Sequence, residues 1–358
     1  MVLISDEQAR KLEGLPTTFD TTLVVKNWGP RKDLTCPLPA GIRPAMISTY
    51  PTKWHVLTPK RFFALWKEVV EADIFLTFVP TLDGLAPLLL AWLAGRPRYI
   101  LMIASPMHFR RTASGGWATS VVTKVLLNAC ALIATRVLVS GKALASDLLP
   151  QLRRRATDII LSSLSEGDIS PPTAPDPEDV ALLCVCRLVS SKRVDIVIEA
   201  THLLLEGGLN VHLAVVGDGP LMNDLLGRVD SLGLQDRVRL FGWIGDRDAL
   251  RDVYAAADIF VFATEAEGIS LAIMEAMAAG IPVISTAAGG LRDFLADGDN
   301  ALVIEEPSPT AFAAAVQRLM EDSMTYMNLA NNAQKKVASL TNQTWVREFH
   351  GLVMKDLG

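Results

Sequence analysis

The segment Asp258–Gly290 constrains the fold of this chain more than any other. It starts with an apolar run, Ile259–Ala263, whose length and flanking residues are typical of a buried parallel strand. A short polar connection leads to a helix predicted over Gly268–Ala279, after which a glycine and a proline stop the helix. The next strand is predicted at Val283–Ser285. The segment is therefore predicted to form one β-α-β unit.

Two glutamates lie eight positions apart in this unit. Glu267 is in the loop at the carboxyl end of the strand, and Glu275 is about two turns into the helix. The unpaired donors of the helix start, a natural seat for phosphate, are expected to be the backbone amides of Gly268, Ile269, Ser270 and Leu271. Carboxylates on either side of that phosphate could bind two sets of hydroxyls, as a nucleotide sugar requires. Acidic residues also favour first turns for electrostatic reasons, so an ordinary surface role is the competing interpretation.

Two cations, Arg187 and Lys192, follow the first strand of the second half of the chain. At a strand end near a helix start, two cations can neutralise a diphosphate and the charge that grows on it when a sugar leaves. Solvated cations on a surface turn are the alternative for an isolated pair. Here the pair stands beside the glutamate unit, and we therefore favour a diphosphate site.

Further glycines follow the next two strands. Gly217 and Gly219 permit a close backbone approach to a ligand, although a strand followed by Gly-x-Gly-Pro is also a plain turn. Gly242 and Trp243 end the strand after that, where the indole could stack on a base or pack in the core with equal ease. Neither motif indicates a site by itself.

The segment EGISLAIMEAMAAGIPV resembles the donor-site signature of the retaining GT-B glycosyltransferases of glycosyltransferase family 4. The family usually shows Glu-Gly-Phe-Gly-Leu, three variable residues and Glu-Ala, and this chain departs at Ile269 and Ser270. The family's Gly-Arg-Leu and Lys-Gly are also similar here, with Cys186 and Arg193 in place of the two glycines. The resemblance covers Val180–Leu340 nearly end to end and the rest of the chain in outline.

This resemblance implies a retaining glycosyltransferase that uses a UDP- or GDP-sugar and needs neither a metal nor a cofactor. It implies that Glu275 binds the ribose hydroxyls, that Glu267 orients a hydroxyl of the transferred sugar, and that Arg187 and Lys192 hold the diphosphate. It also places Gly217, Gly219, Gly242 and Trp243 near the nucleotide. The acceptor would be a glycan, a lipid-phosphate-linked molecule or a small molecule with a hydroxyl.

Strand and helix patterns alternate along both halves of the chain, which indicates parallel, doubly wound sheets. The proline-rich segment Ser170–Asp179 is predicted to be an extended linker. We expect an α/β protein of the GT-B class with two Rossmann-like domains facing across a cleft. The predicted domains are residues 1–172, with the final helix 342–358 packed back on them, and the donor domain 173–341.

The amino-terminal half departs from the family pattern. Its start carries Gly14 where the family has a paired-glycine loop, and His108 follows a predicted strand at a shifted position. His108 could serve the transferred sugar or the acceptor, and a loop histidine without a special role is the alternative that we favour. These departures leave the donor half intact.

Charge divides the chain unequally. Residues 1–172 hold 20 Lys and Arg against 13 Asp and Glu, whereas the remainder holds 14 against 26. A basic first half suits an anionic membrane surface or a lipid-phosphate acceptor, which we favour, and an ordinary solvated surface is the alternative. We find no nucleic-acid motif. The longest apolar run, Leu85–Gly95, is too short to cross a bilayer. With no signal core and no metal-type cysteine spacing, we expect a cytosolic protein, peripheral to the membrane at most.

Three other functions share parts of these features. A nucleotide-sugar epimerase has a similar architecture, but its acid and base residues are not found by motif. A GT-B protein that binds a nucleotide sugar without catalysis fits the irregular first half. A nicotinamide dehydrogenase would need a third glycine where this chain has Met222.

Overall fold

The computed structural model describes residues 3–4, 21–26, 36–37, 42–48, 59–79, 85–102 and 117–358. His108 lies outside these described residues. The chain divides into two compact units. The first contains the described residues up to 102, residues 117–163 and the final helix, and the second contains residues 164–341.

Strands and helices alternate in each unit. The elements of the amino-terminal part are β1 Leu3–Ile4, β2 Thr21–Lys26, β3 Cys36–Pro37, β4 Ile42–Ser48, α1 Pro59–Glu71, β5 Phe75–Val79, α2 Leu85–Leu93, β6 Arg98–Met102, α3 Trp117–Ile133, β7 Arg136–Val139, α4 Pro150–Arg153 and β8 Ala156–Asp158. Those of the remainder are β9 Val180–Val185, α5 Val194–Glu206, β10 Val211–Val216, α6 Met222–Ser231, β11 Val238–Gly242, α7 Arg247–Ala255, β12 Ile259–Phe262, α8 Leu271–Ala278, β13 Val283–Thr286, α9 Leu291–Phe294, β14 Leu302–Ile304, α10 Pro309–Glu321, α11 Ser323–Ala338 and α12 Asn342–Leu357.

The first unit is built on a parallel sheet in the order β5-β6-β7-β8. Because side chains alternate along a strand, Ile100 and Val137 point to one face, where α2 and α3 pack, while Tyr99 and Leu138 point to the other. Strands β2 and β4 form a separate parallel pair, and β1 pairs with β3 in antiparallel fashion. That antiparallel pair departs from the all-parallel arrangement that the sequence predicts.

The final helix, α12, covers the second face of the first unit's sheet. Trp345 and Phe349 are buried there, and the rings of Phe349 and Tyr99 pack edge to face with their centroids 5.3 Å apart. Asp356, near the helix end, accepts a hydrogen bond from the Tyr99 hydroxyl at 3.1 Å and pairs with Arg136. Apolar burial along the helix and an ion pair at its end thus hold the chain terminus against the first unit.

The apolar run that begins at Leu85 folds as α2, a helix of nine residues that packs on β5 and β6. Such a helix spans less than half of a bilayer's hydrocarbon thickness. Among the helices in the described part of the chain, none is long and apolar enough to cross a membrane.

The second unit contains one parallel sheet in the order β11-β10-β9-β12-β13-β14. Counted from β9, this is the doubly wound order 3-2-1-4-5-6, in which the chain reverses direction across the sheet between β9 and β12. Strands β9 and β12 are almost wholly buried because helices cover both faces. Ligands of such sheets bind at the carboxyl ends of the strands beside the reversal.

The sequence also predicts a strand at Ile159–Ser162 and a single helix over Ser308–Val337, and both predictions need correction. The strand predicted at Ile159–Ser162 lies instead at β8, which ends at Asp158, and Ile159 is buried with side chains of α12. The long helix predicted over Ser308–Val337 is two helices, α10 and α11. Asp322 separates them, since its carboxylate accepts hydrogen bonds from the amides of Met324 and Thr325 and so caps α11.

The predicted domain boundary after Pro172 also differs from the observed division, which groups residues 164–172 with the second unit. The Ser170 amide donates to the Ala278 carbonyl at 2.9 Å. Pro172 lies so close to Gly280 that a Cβ on this glycine would stand 2.8 Å from the Pro172 Cα. The start of the predicted linker is therefore docked on the second unit by backbone contacts that composition does not reveal.

Candidate donor site at the carboxyl ends of the second sheet

Lys192 and Glu267 meet where the strand order of the second sheet reverses, between β9 and β12. Lys192 follows β9 and Glu267 follows β12, and the Lys192 ammonium donates a hydrogen bond to the Glu267 carboxylate. Both side chains are mostly buried. The ammonium also stands 4.9 Å from the centre of the Phe262 ring, which contributes a cation–π contact. Two groups that are 75 positions apart in the sequence thus form one charged pair at the expected ligand end of the sheet.

The backbone around Lys192 explains how this side chain reaches the pair. Residues Ser190–Lys192 form one 3-10 turn, and Arg193 then adopts a left-handed conformation, with φ at 41°. Glycine occupies such positions at the lowest cost, and glycine is the residue that the resembled family shows here. In this chain the Arg193 guanidinium is held by Asp195 at 2.9 Å and by Glu265 at 3.5 Å.

The helix start lies further along the chain than the sequence predicts. The prediction that Gly268 opens the helix is wrong, because α8 begins at Leu271 and Ser270 occupies the N-cap position. Gly268 and Ile269 belong to the preceding loop. The first-turn amides, which have no acceptor within the helix, are therefore those of residues 271–273.

Glu275 lies on the second turn of α8 and accepts a hydrogen bond from the Tyr254 hydroxyl at 3.0 Å. Tyr254 is almost wholly buried at the end of α7, and its ring stacks on Phe260 in the adjacent strand. The same hydroxyl lies 3.3 Å from the Ala272 carbonyl. Sequence reasoning missed Tyr254, because its place on the apolar face of an amphipathic helix indicates only a core residue.

Hydrogen bonds join the loops that carry these residues. The Glu265 amide donates to the Ser191 carbonyl at 2.8 Å, which ties the loop after β12 to the loop after β9. The Thr286 hydroxyl donates to the Thr264 carbonyl at 2.6 Å and accepts from the Thr264 amide at 2.9 Å. The end of β13 is thereby tied to the loop after β12, so the pair of Lys192 and Glu267 sits on a well-supported backbone.

The glycines beside the site serve backbone packing. A Cβ on Gly217 would lie 1.8 Å from the Cys186 carbonyl oxygen, and one on Gly219 would lie 2.4 Å from the Leu188 oxygen. A Cβ on Gly289 would lie 2.1 Å from the backbone carbonyl oxygen of Glu267. The strand-end loops approach each other so closely that a side chain would force them apart. The close backbone approach seen at these glycines is therefore to other loops of the protein.

Other predicted site residues lie at the same ends of the strands. Arg187 follows β9 with an exposed side chain. Gly242 ends β11 with φ at 74°, and its carbonyl accepts the Gly217 amide at 2.8 Å. Trp243 comes next and is about half exposed, so its indole is accessible to a ligand. Ile269 is partly exposed in the loop before α8.

Two cysteines underlie the site. Cys184 and Cys186 are unpaired thiols whose sulfur atoms lie 4.0 Å apart. The hydrogen bond with Cys184 and the nearby Lys192 charge lower the pKa of Cys186, although burial opposes this. Within the residues described by the structure, no group of three or more His, Cys, Asp or Glu side chains is placed to hold a metal ion.

Comparison with known proteins places the candidate site within a matched segment. Residues 166–336 match the family of glycosyl transferases group 1. Mannosylfructose-phosphate synthase of Agrobacterium fabrum is 31% identical over 179 residues, which are 48% of this chain and 39% of that protein. The chain spans about two fifths of the length of the curated relatives it matches.

Solved structures resemble nearly the whole chain. Sucrose-phosphate synthase of Thermosynechococcus elongatus superposes with a TM-score of 0.75 at 20% identity, covering 98% of this chain and 92% of that one. HepE of Anabaena, solved in complex with UDP and glucose, superposes with a TM-score of 0.70 at 20% identity, covering 89% and 86%. The chain therefore has the GT-B fold, and its residues 166–336 match the model of the glycosyl transferases group 1 family.

Proposed function

We propose that this protein transfers a sugar, with retention of anomeric configuration, from a nucleoside-diphosphate sugar to a hydroxyl acceptor. The observation that carries the proposal is the charged pair of Lys192 and Glu267 at the reversal point of the second sheet, beside the start of α8. A cation, a carboxylate and a helix start at one sheet edge suit a ligand that carries both phosphates and hydroxyls.

The diphosphate binds between Lys192 and the first-turn amides of α8, with Arg187 as a second cation. An ammonium has three N–H donors, so Lys192 can contact a phosphate oxygen while it remains bonded to Glu267. These cations and the helix start offset the charge that develops on the leaving diphosphate. Neither a metal ion nor an organic cofactor is needed for that purpose.

The two carboxylates bind hydroxyls. Glu275, held by Tyr254, accepts hydrogen bonds from the ribose, and Glu267 accepts one from the transferred sugar. Gly242 and Trp243, at the end of β11, lie on the nucleotide side, where the half-exposed indole offers a surface for the base. His108 lies outside the described residues and remains a prediction for the acceptor side.

The reaction breaks the bond between the anomeric carbon and the terminal phosphate oxygen, and the electron pair stays on that oxygen. The acceptor oxygen bonds to the anomeric carbon on the face that the phosphate leaves. The acceptor proton passes to a phosphate oxygen, which yields the nucleoside diphosphate and the glycoside. The protein contributes by positioning both reactants and by offsetting the charge of the leaving group.

UDP is the first nucleotide to test, because HepE was solved with it. The test is calorimetric titration of the full chain with UDP, GDP and ADP, followed by incubation with the sugars of whichever nucleotide binds. A matching nucleotide raises the melting temperature in proportion to the logarithm of its concentration. The acceptor classes to supply are glycans, lipid-linked phosphates and small molecules with hydroxyls.

Lys192→Ala tests the role of the ammonium. We expect the turnover of sugar transfer, or of slow donor hydrolysis, to fall by about a hundredfold, the loss typical of one charge-stabilising donor. Lys335→Ala is the matched control, since Lys335 is exposed on α11 in the same unit. Wild-type turnover in Lys192→Ala would contradict the assignment.

The other candidate functions would show distinct results. Tight nucleotide binding without transfer or hydrolysis would indicate a binding protein without catalysis. A changed sugar that is still attached to its nucleotide, formed without an acceptor, would indicate an epimerase. The absence of binding by all three nucleotides would overturn the proposal as a whole.

A further inference from the structure

The outer face of α2 in the first unit is apolar. Its sequence, LAPLLLAWL, contains no charged residue. Leu88 and Leu90 are buried against the sheet and α1, as expected for the inner face. Leu89, Trp92 and Leu93, spaced to share the opposite face, are exposed, Trp92 by 50% and Leu93 by 64%. A helix that is apolar all round is normally covered on every side.

The neighbouring helix α3 shows the same feature. Leu127 and Cys130 pack into the core beneath it, whereas Val121, Val122, Val125 and Leu132 are exposed, Val125 by 63%. Helices α2 and α3 contact each other on the same face of the sheet. We call the exposed set the apolar helix face, and its members are Leu89, Trp92, Leu93, Val121, Val122, Val125 and Leu132.

Exposed apolar residues that occur singly are common, but grouped ones mark a surface that another body covers. Here seven large apolar side chains share two adjoining helices. Lys124 is the exposed charged residue between them on α3. The apolar helix face is therefore an interaction surface.

The charge around the apolar helix face indicates which kind of partner covers it. Residues 117–155 contain five exposed basic residues, namely Lys124, Lys142, Arg153, Arg154 and Arg155. The same stretch contains a single acidic residue, Asp147, and that residue is buried. Arg153–Arg155, at the end of α4, are exposed beside α3, which α4 contacts. An anionic partner is thus complementary to the surroundings of the face.

We propose that the apolar helix face docks on a lipid bilayer that contains anionic lipids. Apolar side chains and a tryptophan enter the boundary between headgroups and acyl chains, and Lys and Arg contact the anionic headgroups. A second copy of the chain fits less well, because pairing this face with itself would bring two sets of cations together. The proposal adds a partner to the proposed function and does not depend on it.

The experiment is flotation of the full-length protein with vesicles of phosphatidylcholine containing about 30% phosphatidylglycerol, a fraction chosen to give a clear negative surface potential. Vesicles of pure phosphatidylcholine are the comparison. The test variant is Leu93→Glu combined with Val125→Glu, and the matched control is Met324→Glu, which changes an equally exposed apolar residue of the second unit. Unchanged melting temperatures and nucleotide affinity show that each variant is folded.

We expect the wild type and the Met324→Glu control to float with the anionic vesicles at low salt and to release at about 0.5 M salt, where the Debye length is only a few ångströms. The double variant should bind those vesicles at least about tenfold more weakly, since two side chains that enter the bilayer in the wild type become charged. Equal binding by the double variant, or no flotation of the wild type, would overturn the proposal. A stable dimer that the double variant dissociates would assign the face to a second copy instead.

Discussion

Hydrogen bonds from side chains on other elements hold the two carboxylates of the candidate site. Glu275 is held by the Tyr254 hydroxyl, and Glu267 is held by Lys192. Tyr254 lies on α7 and Lys192 follows β9, whereas the glutamates lie on α8 and in the loop before it. The orientation of each carboxylate therefore depends on a side chain distant in the sequence, and each dependence can be measured separately.

Tyr254→Phe removes the hydroxyl and keeps the ring. We expect the affinity for the matching nucleotide to fall about fivefold, or about 1 kcal/mol, because Glu275 loses the donor that holds it towards the ribose. Calorimetric titration of Tyr254→Phe, Glu275→Gln and the double variant gives the coupling between the two residues.

Tyr326→Phe is the control for that cycle. Its hydroxyl is also bonded, to the Asp258 carbonyl at 2.7 Å, and its ring is equally buried, but it is outside the candidate site. This variant should lower stability and leave nucleotide affinity unchanged. Equal loss of affinity in the two tyrosine variants would show that Tyr254 has a merely structural role.

Gly217→Ala tests the packing of the strand-end loops. The new methyl would overlap the Cys186 carbonyl oxygen, so we expect a loss of about 2–3 kcal/mol in the free energy of unfolding. Gly208→Ala is the matched control, since Gly208 also has a positive φ but has open space around it, and it should cost about 1 kcal/mol. Equal losses in urea denaturation would mean that backbone conformation alone requires the glycine.

At the level of secondary-structure elements, Asp168 fastens the segment before β9 to helix α7. Arg251 donates to its carboxylate at 2.7 Å, Arg247 lies 2.5 Å from it, and Ser165 bonds to it through its amide and its hydroxyl. Burial alone would raise the pKa of Asp168, but the hydrogen bonds and the two arginines lower it below its usual range. A residue that the sequence assigned to the first domain thus becomes part of the second unit.

The lowered pKa of Asp168 determines the direction of a pH effect. A carboxyl group whose folded-state pKa is depressed stabilises the fold fully above its unfolded pKa, about 3.9, and the contribution is lost as pH falls through the folded value. Asp168→Asn should therefore lower the free energy of unfolding by about 2 kcal/mol at pH 7, and the difference from wild type should shrink below about pH 4. Urea denaturation from pH 7 to pH 3 measures this.

Asp248→Asn is the matched control. Asp248 also pairs with Arg251, at 3.0 Å, but its side chain is highly exposed, so its removal should change stability by less than about 0.5 kcal/mol. A difference between Asp168→Asn and wild type that stays constant down to pH 3 would contradict the role assigned to the Asp168 charge.

For the molecule as a whole, the last helix and the candidate site belong to different compact units. The described site residues lie in the second unit, while α12 is packed into the first. The chain thus leaves the first unit, forms the second and returns. Changes in α12 should accordingly affect the stability of the first unit without changing nucleotide affinity.

Phe349→Ala tests this separation. Phe349 is buried against Tyr99, and its removal should lower the free energy of unfolding of the first unit by about 3–5 kcal/mol. Nucleotide affinity at 25 °C should remain that of the wild type. Met354→Ala, on the exposed side of the same helix, is the control and should be nearly neutral. Lost nucleotide affinity in folded Phe349→Ala would contradict the separation.

Patterns within short segments predicted much of this architecture. The predicted strands Ile259–Ala263 and Val283–Ser285 agree with β12 and β13 to within one residue, because buried strands carry dense apolar runs. Errors arose where local signals compete. Gly268 resembles a helix start, but its loop packs against Gly290 and the helix begins three residues later.

The sequence by itself determined the class of fold, the alternation of strands and helices in the second unit and the residue types at its strand ends, since periodicity and loop chemistry act over a few residues. Only the tertiary structure decided that Lys192 bonds to Glu267, that Tyr254 holds Glu275 and that Asp168 fastens the segment before β9 to α7. The structure alone also shows that the outer faces of α2 and α3 are exposed. Contacts between distant segments depend on how elements pack, and no local pattern contains that information.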